Sequence, residues 1–325
     1  MGEGELSLLI LAAGKGKRMR SAQPKALHEL CGRPILEYIL EAVAPLEAAR
    51  TVVVIGHQGE RVRERFASRG LIFVEQKEQL GTGHAVLQAR SALEDKGGEI
   101  LILPGDLPLL QTELLKRFLS FHRAHGGRLS LLTMELGDPH GYGRIVRGHD
   151  GAVLRIVEDR DASEAERRIR EVNSGVYLVR NEELFWEALT ELEATNAQGE
   201  YYLPDIISFY HRRGEPIRAL LARESEPLLG INSKAELAQA EAILRRRKLA
   251  EVLAAGATVV APETVIIEPA ASVARDARIG PGSFIGGGSR IGEGTVIENS
   301  RVVGFEVGAG CRIEWSIISK GERRG

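Results

Sequence analysis

Residues suited to phosphate chemistry stand at the ends of several apolar runs in this chain. The segment LLILAAGKGKRMRSAQPKAL, residues 8–27, passes from aliphatic residues directly into Gly14-Lys15-Gly16-Lys17-Arg18 and then Pro24-Lys25. Small residues let successive backbone N–H groups turn toward an anion, and Arg18 and Lys25 can neutralise charge that moves between phosphates during a transfer. The alternative is a glycine turn whose cations face solvent. The loop matches neither the Gly-Lys-Ser/Thr ending of a Walker A loop nor Gly-x-Gly-x-x-Gly. Asp106, in LPGDLPLL, follows the apolar run Ile100 to Leu103. There it is well placed for Mg²⁺, which prefers oxygen ligands and shares them with phosphate, or it is a turn residue. Asn232, in LLGINSKAEL, offers a neutral oxygen to the same ion or stands beside a helix N-terminus. Around EQLGTGHA, Gln76, Gly81 and Thr82 present amide and backbone groups to the edge of a nucleobase, or Thr82 caps a helix after a glycine turn.

The elements that must hold these residues follow an α/β grammar. LSLLILAAG, TVVVIG, LIFVEQ and EILILPGD read as strands, and RLSLLTMEL, GAVLRIVED and EVNSGVYLVR continue the sheet. Between them, Ile35, Leu36, Ile39, Leu40 and Val43 make a helical stripe. This is a Rossmann-like domain with a mixed, mainly parallel sheet, expected over residues 1–233, and ligands of such sheets collect at strand ends. Residues 234–256 read as a connecting helix in which Leu237, Ala240 and Leu244 share a face, the RRRK run is solvated, and Gly256 is the stop. From 257 to 325 an aliphatic residue recurs every sixth position, at Ile267, Val273, Ile279, Ile285, Ile291 and Ile297. That period predicts a parallel β-helix whose register slips near Val303 and resumes at Val307 and Ile313.

Composition removes several function classes. A net charge of -2 provides no overall field for nucleic acid or an anionic membrane. The two cysteines, Cys31 and Cys311, lie far apart and in no metal-ligand spacing, which argues against a disulfide framework and a zinc site. Acidic residues precede the first apolar run, which is too short to span a bilayer, so a soluble cytoplasmic protein is expected. The eight histidines form no His-Glu-x-x-His pattern, and His28 and His84 read as structural hydrogen-bonding residues.

In order along the chain, LAAGKGKRM, PKALHEL, EQLGTGHA, GDLPLL, GYGRIVR, IVED, EVNSG, NAQGEYYLPDII and GINSKAEL span Leu11 to Leu237. Together they resemble the uridylyltransferase half of the bacterial bifunctional N-acetylglucosamine-1-phosphate uridylyltransferase/glucosamine-1-phosphate acetyltransferase family. The six-residue repeat agrees, since that family follows its nucleotidyltransferase domain with a left-handed β-helix. The resemblance implies that Leu11, Ala12, Ala13 and Gly14 line the nucleotide site with Gly105, and that Arg18 and Lys25 meet the phosphates. It implies that Gln76, Gly81 and Thr82 recognise uracil and that Asp106 and Asn232 hold Mg²⁺. Gly143, Glu158 and Asn173 would bind the sugar, with Glu158 accepting from its hydroxyls. The implied reaction joins UTP and N-acetylglucosamine 1-phosphate into UDP-N-acetylglucosamine, the sugar phosphate itself attacking the α-phosphorus. Lys17 departs from the small polar residue more usual there. The chain stops at Gly325, short of the long β-helix an acetyltransferase needs, so acetyl transfer is not expected. A homotrimer is the family analogy. The competing readings are another sugar-1-phosphate nucleotidyltransferase and a non-catalytic protein that senses nucleotide.

Overall fold

Short aliphatic strands separated by amphipathic helices build the first of two compact units, Met1–His28 with Pro34–Ser233; the second comprises Glu29–Arg33 with Lys234–Gly325. The computed structural model describes residues 5–14, 16–94 and 97–319, with Lys17 described by its backbone alone. Lys15 and the Lys17 side chain, two cations of the glycine loop, therefore lie outside the described residues.

The frame of the first unit is a mixed sheet. Leu6–Ala12 lies at its centre, parallel to Arg50–Ile55 on one side and to Glu99–Pro104 on the other, and Ile72–Glu75 extends it beyond Arg50–Ile55. The long strand Glu171–Arg180 then runs antiparallel between Glu99–Pro104 and Leu129–Glu135, and Ile217–Leu221 closes the far edge parallel to Leu129–Glu135. That edge strand is absent from the sequence reading because its half-buried residues do not alternate cleanly. Val153–Val157 forms a hairpin with Arg144–Arg147, so the GYGRIVR motif carries a strand of its own. Alternate residues of the central strands are buried toward both faces: Leu9, Val52 and Ile102 join a cluster with Phe185, Trp186, Ile206 and Tyr210, while Leu8, Ile10 and Leu101 are buried as well. The helix Ile35–Val43 buries the whole expected stripe.

In the second unit the helix Lys234–Ala254 buries Ala240, Leu244, Lys248 and Val252 at every fourth position, and Gly256 follows it at a positive φ of 91°. Lys248 corrects the reading of RRRK as a wholly solvated face. Its side chain is only 5% exposed and its Nζ reaches Glu251 Oε1 at 2.7 Å, so the aliphatic stem lies along the packed side while the charge finds a carboxylate. No helix among the described residues is long and apolar enough to cross a membrane.

The C-terminal repeat folds as three parallel ladders of short strands, one on each face of a parallel β-helix. Ile267, Val273, Ile279, Ile285, Ile291 and Ile297 are all buried in its axis. After Ile297 the inward position falls to Val302 and then Val307, five residues apart each time, so Val302 rather than Val303 points inward. The corner between the strands Val296–Glu298 and Arg301–Val303 is short, with Asn299 at φ 45°, a conformation that Asn tolerates better than most side chains. Buried hydroxyls satisfy corner carbonyls: Ser289 Oγ donates to Gly286 O at 2.6 Å and Thr295 Oγ1 to Gly308 O at 2.7 Å.

Ile285→Ala should therefore lower the unfolding free energy of the β-helix by about 2–5 kcal/mol, because the closed axis cannot collapse around the lost atoms. Ile313→Ala, at a half-buried site on the last coil, should cost about 1 kcal/mol or less. Urea unfolding of the two variants checks the order.

Candidate active site

At the carboxyl ends of Leu6–Ala12 and Glu99–Pro104 the chain leaves the sheet in opposite lateral directions, the switch point where open α/β sheets bind ligands. A cavity of about 630 Å³ opens there. Leu11, Ala12, Ala13, Gly14, Lys25, Gln76, Gly81, Thr82, Gly105, Asp106, Glu158, Asn173 and Asn232 all line it. Two expected residues do not. Arg18 is exposed on the short turn Lys17–Met19, and Gly143 stands behind the wall, where an added Cβ would lie 3.0 Å from Glu158 Oε1.

The end of the cavity at the switch point is organised around one ammonium. Lys25, on a turn set by Pro24, directs Nζ to the Asp106 carboxylate and, at 2.7 Å, to Asn232 Oδ1. Both lysine and aspartate side chains are mostly withdrawn from solvent, 13% and 19% exposed. Backbone contacts bring the two oxygens together: Gly105 N–H donates to Leu11 O at 2.9 Å, and Ile231 N–H donates to Asp106 O at 3.0 Å. Any side chain at Gly105 would collide with Leu11 O at 2.8 Å, so the approach of these strand ends requires glycine. A carboxylate and an amide oxygen that converge on one cation are also a suitable partial donor set for Mg²⁺, which completes its shell with water and substrate phosphate.

The Gly81–Thr82 end of the cavity is a turn clamped from two directions. Gly81, at φ 113°, lies so close to the Tyr201 backbone that an added Cβ would sit 2.5 Å from Tyr201 O. Gly83 N–H donates to that same carbonyl at 2.8 Å. The helix begins at Thr82 and its N-cap is Gly81, so Thr82 is not the cap. Its Oγ1 instead accepts the Leu203 N–H at 3.0 Å, tying the turn to the NAQGEYYLPD segment. Gln76 is nearly buried, its backbone N–H held by Ile55 O at 2.8 Å and its side-chain Nε2 donating to Gly81 O at 3.0 Å.

Across the cavity the wall is acidic and rich in hydroxyls. A bulge in Glu171–Arg180 between Asn173 and Tyr177 turns Asn173 into the cavity, where its Nδ2 donates to Tyr177 Oη at 2.7 Å and its Oδ1 accepts the Gly175 N–H at 3.0 Å. Burial pushes the Glu158 carboxyl up to about 7, reinforced by the negative charges of Asp205, Asp161 and Asp159 and opposed by the Arg144 guanidinium. Asp205 is pushed up to about 6, by burial and then by Asp161. Arg144 is 2% exposed and donates to Asp159 Oδ1 at 2.8 Å, a buried cation that moderates this cluster.

Against known proteins, residues 8–259 match the family model described as the MobA-like NTP transferase domain. The chain is 42% identical over 278 residues to the bifunctional protein GlmU of Desulfotalea psychrophila, covering 86% of this chain and 82% of that one. The chain belongs to the GlmU family. A second member, from Shouchella clausii, is 42% identical over 312 residues, 96% of this chain and 68% of its own length. A solved UDP-glucose pyrophosphorylase in complex with UDP-glucose shares the fold, with a TM-score of 0.60 at 15% identity, covering 75% of this chain and 99% of that one. The family assignment makes the protein a nucleotidyltransferase.

Some cavity residues escaped the sequence reading. Tyr177, Gln198, Tyr202 and Arg160 also line the wall. For Tyr177, Gln198 and Tyr202 the signal lies only in the spacing of EVNSGVY and NAQGEYY, since a tyrosine alone reads as core, and Arg160, which follows IVED directly, reads as a surface cation. Asp161 fixes the second of these segments by accepting the Ala197 N–H at 2.9 Å, and Gln198 Nε2 donates to Tyr202 Oη at 2.6 Å.

The raised Glu158 carboxyl has a stability consequence of definite sign. A carboxyl whose folded pKa exceeds its unfolded value stabilises the fold while protonated, fully below about pH 4.3, and that contribution is lost as pH rises through about 7. Glu158→Gln should therefore melt above wild type, by a margin that grows from about pH 5 to about pH 8 and then levels off. Parallel melting curves at all pH values would contradict the buried-carboxylate account.

Proposed function

We propose that the chain transfers a uridylyl group from UTP to N-acetylglucosamine 1-phosphate, releasing UDP-N-acetylglucosamine and pyrophosphate. The observation that carries this reading is the convergence of Lys25, Asp106 and Asn232 at the switch point, in the same cavity as the Gln76 amide and the Glu158–Asn173 wall. The likeness to GlmU proteins of two organisms supports the choice of reaction.

In this reading Asp106 and Asn232 hold Mg²⁺, which supplies charge neutralisation on the triphosphate. Lys25 exchanges their oxygens for phosphate oxygens when nucleotide enters, so a cation already inside the cavity is redirected to the reacting group. Glu158, ionised above about pH 7, accepts hydrogen bonds from sugar hydroxyls, and Asn173 meets the same ring, its amide steadied by Tyr177. Gly143 leaves room for Glu158 behind the sugar. Gln76 with the Gly81–Thr82 turn receives uracil, and Leu11 to Gly14 form the floor under the nucleotide. An oxygen of the sugar phosphate attacks the α-phosphorus, a P–O bond forms, the bond to the β-phosphate oxygen breaks, and both electrons leave with pyrophosphate. The nucleophile is already an anion, so alignment and charge stabilisation suffice without a protein base. Arg18, on its exposed turn, is assigned to the departing pyrophosphate.

Several outcomes follow from these roles. With four NTPs tested against several sugar 1-phosphates, UTP with N-acetylglucosamine 1-phosphate should be the best pair, and any other best pair overturns the assignment. Asp106→Ala should reduce turnover by about a thousandfold or more, read as pyrophosphate release; unchanged release would remove Asp106 from the site. In the same reading the β-helix associates as a homotrimer, supported by Trp315 and Ile317, 81% and 78% exposed on the last coil. Light scattering should give three times the chain mass, and a monomer at working concentration would contradict it.

A further inference from the structure

We propose that His84 is a positioning residue for base choice: it fixes the orientation of the Gln76 side chain so that only an acceptor is offered to the nucleobase. The inference rests on the reading that Gln76 meets the base. Gln76 Nε2 lies 3.0 Å from Gly81 O and 2.9 Å from His84 Nδ1. A backbone carbonyl can only accept, so the Gln76 atom beside it is the NH₂ group and not the amide oxygen. That group has two hydrogens, and with one on Gly81 the other is committed to His84 Nδ1. The Gln76 side chain then has one hydrogen-bonding group left for the cavity it lines, the oxygen Oε1.

The histidine can play this part in one tautomer only. Nδ1 must be bare to accept, so the neutral ring carries its proton on Nε2. Nε2 in turn lies 3.1 Å from Gln88 Nε2. Two hydrogen-bearing nitrogens repel, so this tautomer requires the Gln88 amide to be turned end for end, with its oxygen toward the ring. Gln88, His84 and Gln76 thereby form a one-way relay in which each donor faces an acceptor. All the fixed ends lie on one short helix, Thr82–Gln88, and the turn before it.

An acceptor presented to a pyrimidine edge matches the N3–H of uracil and opposes the bare N3 of cytosine. Without His84 the Gln76 amide keeps only Gly81 as an anchor and can turn its NH₂ toward the base, which cytosine satisfies. The relay is therefore a device for rejecting cytosine, and its loss should act on discrimination rather than on the transfer step.

The test compares kcat/KM for UTP and CTP, with the same sugar phosphate, in wild type, His84→Leu, His84→Asn and Gln76→Ala. His84→Leu keeps bulk but removes the acceptor, and should lower the UTP:CTP ratio by about tenfold, mainly through a lower KM for CTP. His84→Asn places an amide oxygen where Nδ1 stands and should restore most of the ratio, which a merely structural role would not predict. If His84→Leu does not fold, His84→Ala takes its place against the same Asn variant. A wild-type ratio in the Leu or Ala variant, with a collapsed ratio in Gln76→Ala, overturns the relay and leaves the uracil reading intact. A wild-type ratio in Gln76→Ala overturns the uracil reading itself.

Discussion

One shared ammonium organises the site: Lys25 Nζ bridges the carboxylate of Asp106 and the amide oxygen of Asn232, residues brought together from three distant parts of the chain. Each is delivered by backbone geometry rather than by its own neighbours. Gly105 lets the Asp106 turn press against the end of the first strand, and Ile231 fixes the Asn232 segment to the Asp106 carbonyl. The lysine compensates two oxygens that would otherwise face a partly desolvated cavity, where an unpaired carboxylate is costly. In the proposed reading the same pairing is a cation site whose occupant changes when nucleotide enters, as phosphate chemistry requires.

The remainder of the cavity has a gradient of character. Its Gly81–Thr82 side is neutral and held by backbone hydrogen bonds, with Thr82 and Gly83 stitched to Leu203 and Tyr201. Its far side gathers carboxyls whose charge is resisted by burial and by one another, with buried Arg144 as the counterweight. Because Tyr201–Leu203 is bonded to the Gly81–Gly83 turn and lies in the same segment as Gln198 and Tyr202, the two sides share one physical support. A change in the position of that segment reaches both ends of the cavity.

Much of this was legible in the sequence where a period or a strand end announces it. Aliphatic strands with glycine at their exits marked Leu11–Gly14 and Asp106, and the six-residue spacing marked the inward row of the β-helix as far as Ile297. Properties set by distant packing were not legible. Nothing local says that Val302 takes the inward place, that Lys248 lies along a buried helix face, or that Gly143 stands behind Glu158 instead of lining the cavity. Arg18 looked equivalent to Lys25 in the loop, yet the turn Lys17–Met19 exposes it while Pro24 directs Lys25 inward. His84 read as a structural hydrogen-bonding residue, and only its partners reveal what it holds.

The central claim is that Lys25 and a divalent metal use the same two oxygens. Direct binding of Mn²⁺ to the nucleotide-free protein, followed by electron paramagnetic resonance in wild type and Lys25→Met, tests it without reference to turnover. Removal of the competing ammonium should tighten Mn²⁺ binding by about tenfold or more, since at that separation a unit charge outweighs the loss of one hydrogen-bond donor. Equal or weaker binding in Lys25→Met would show that Asp106 and Asn232 are held for the lysine alone.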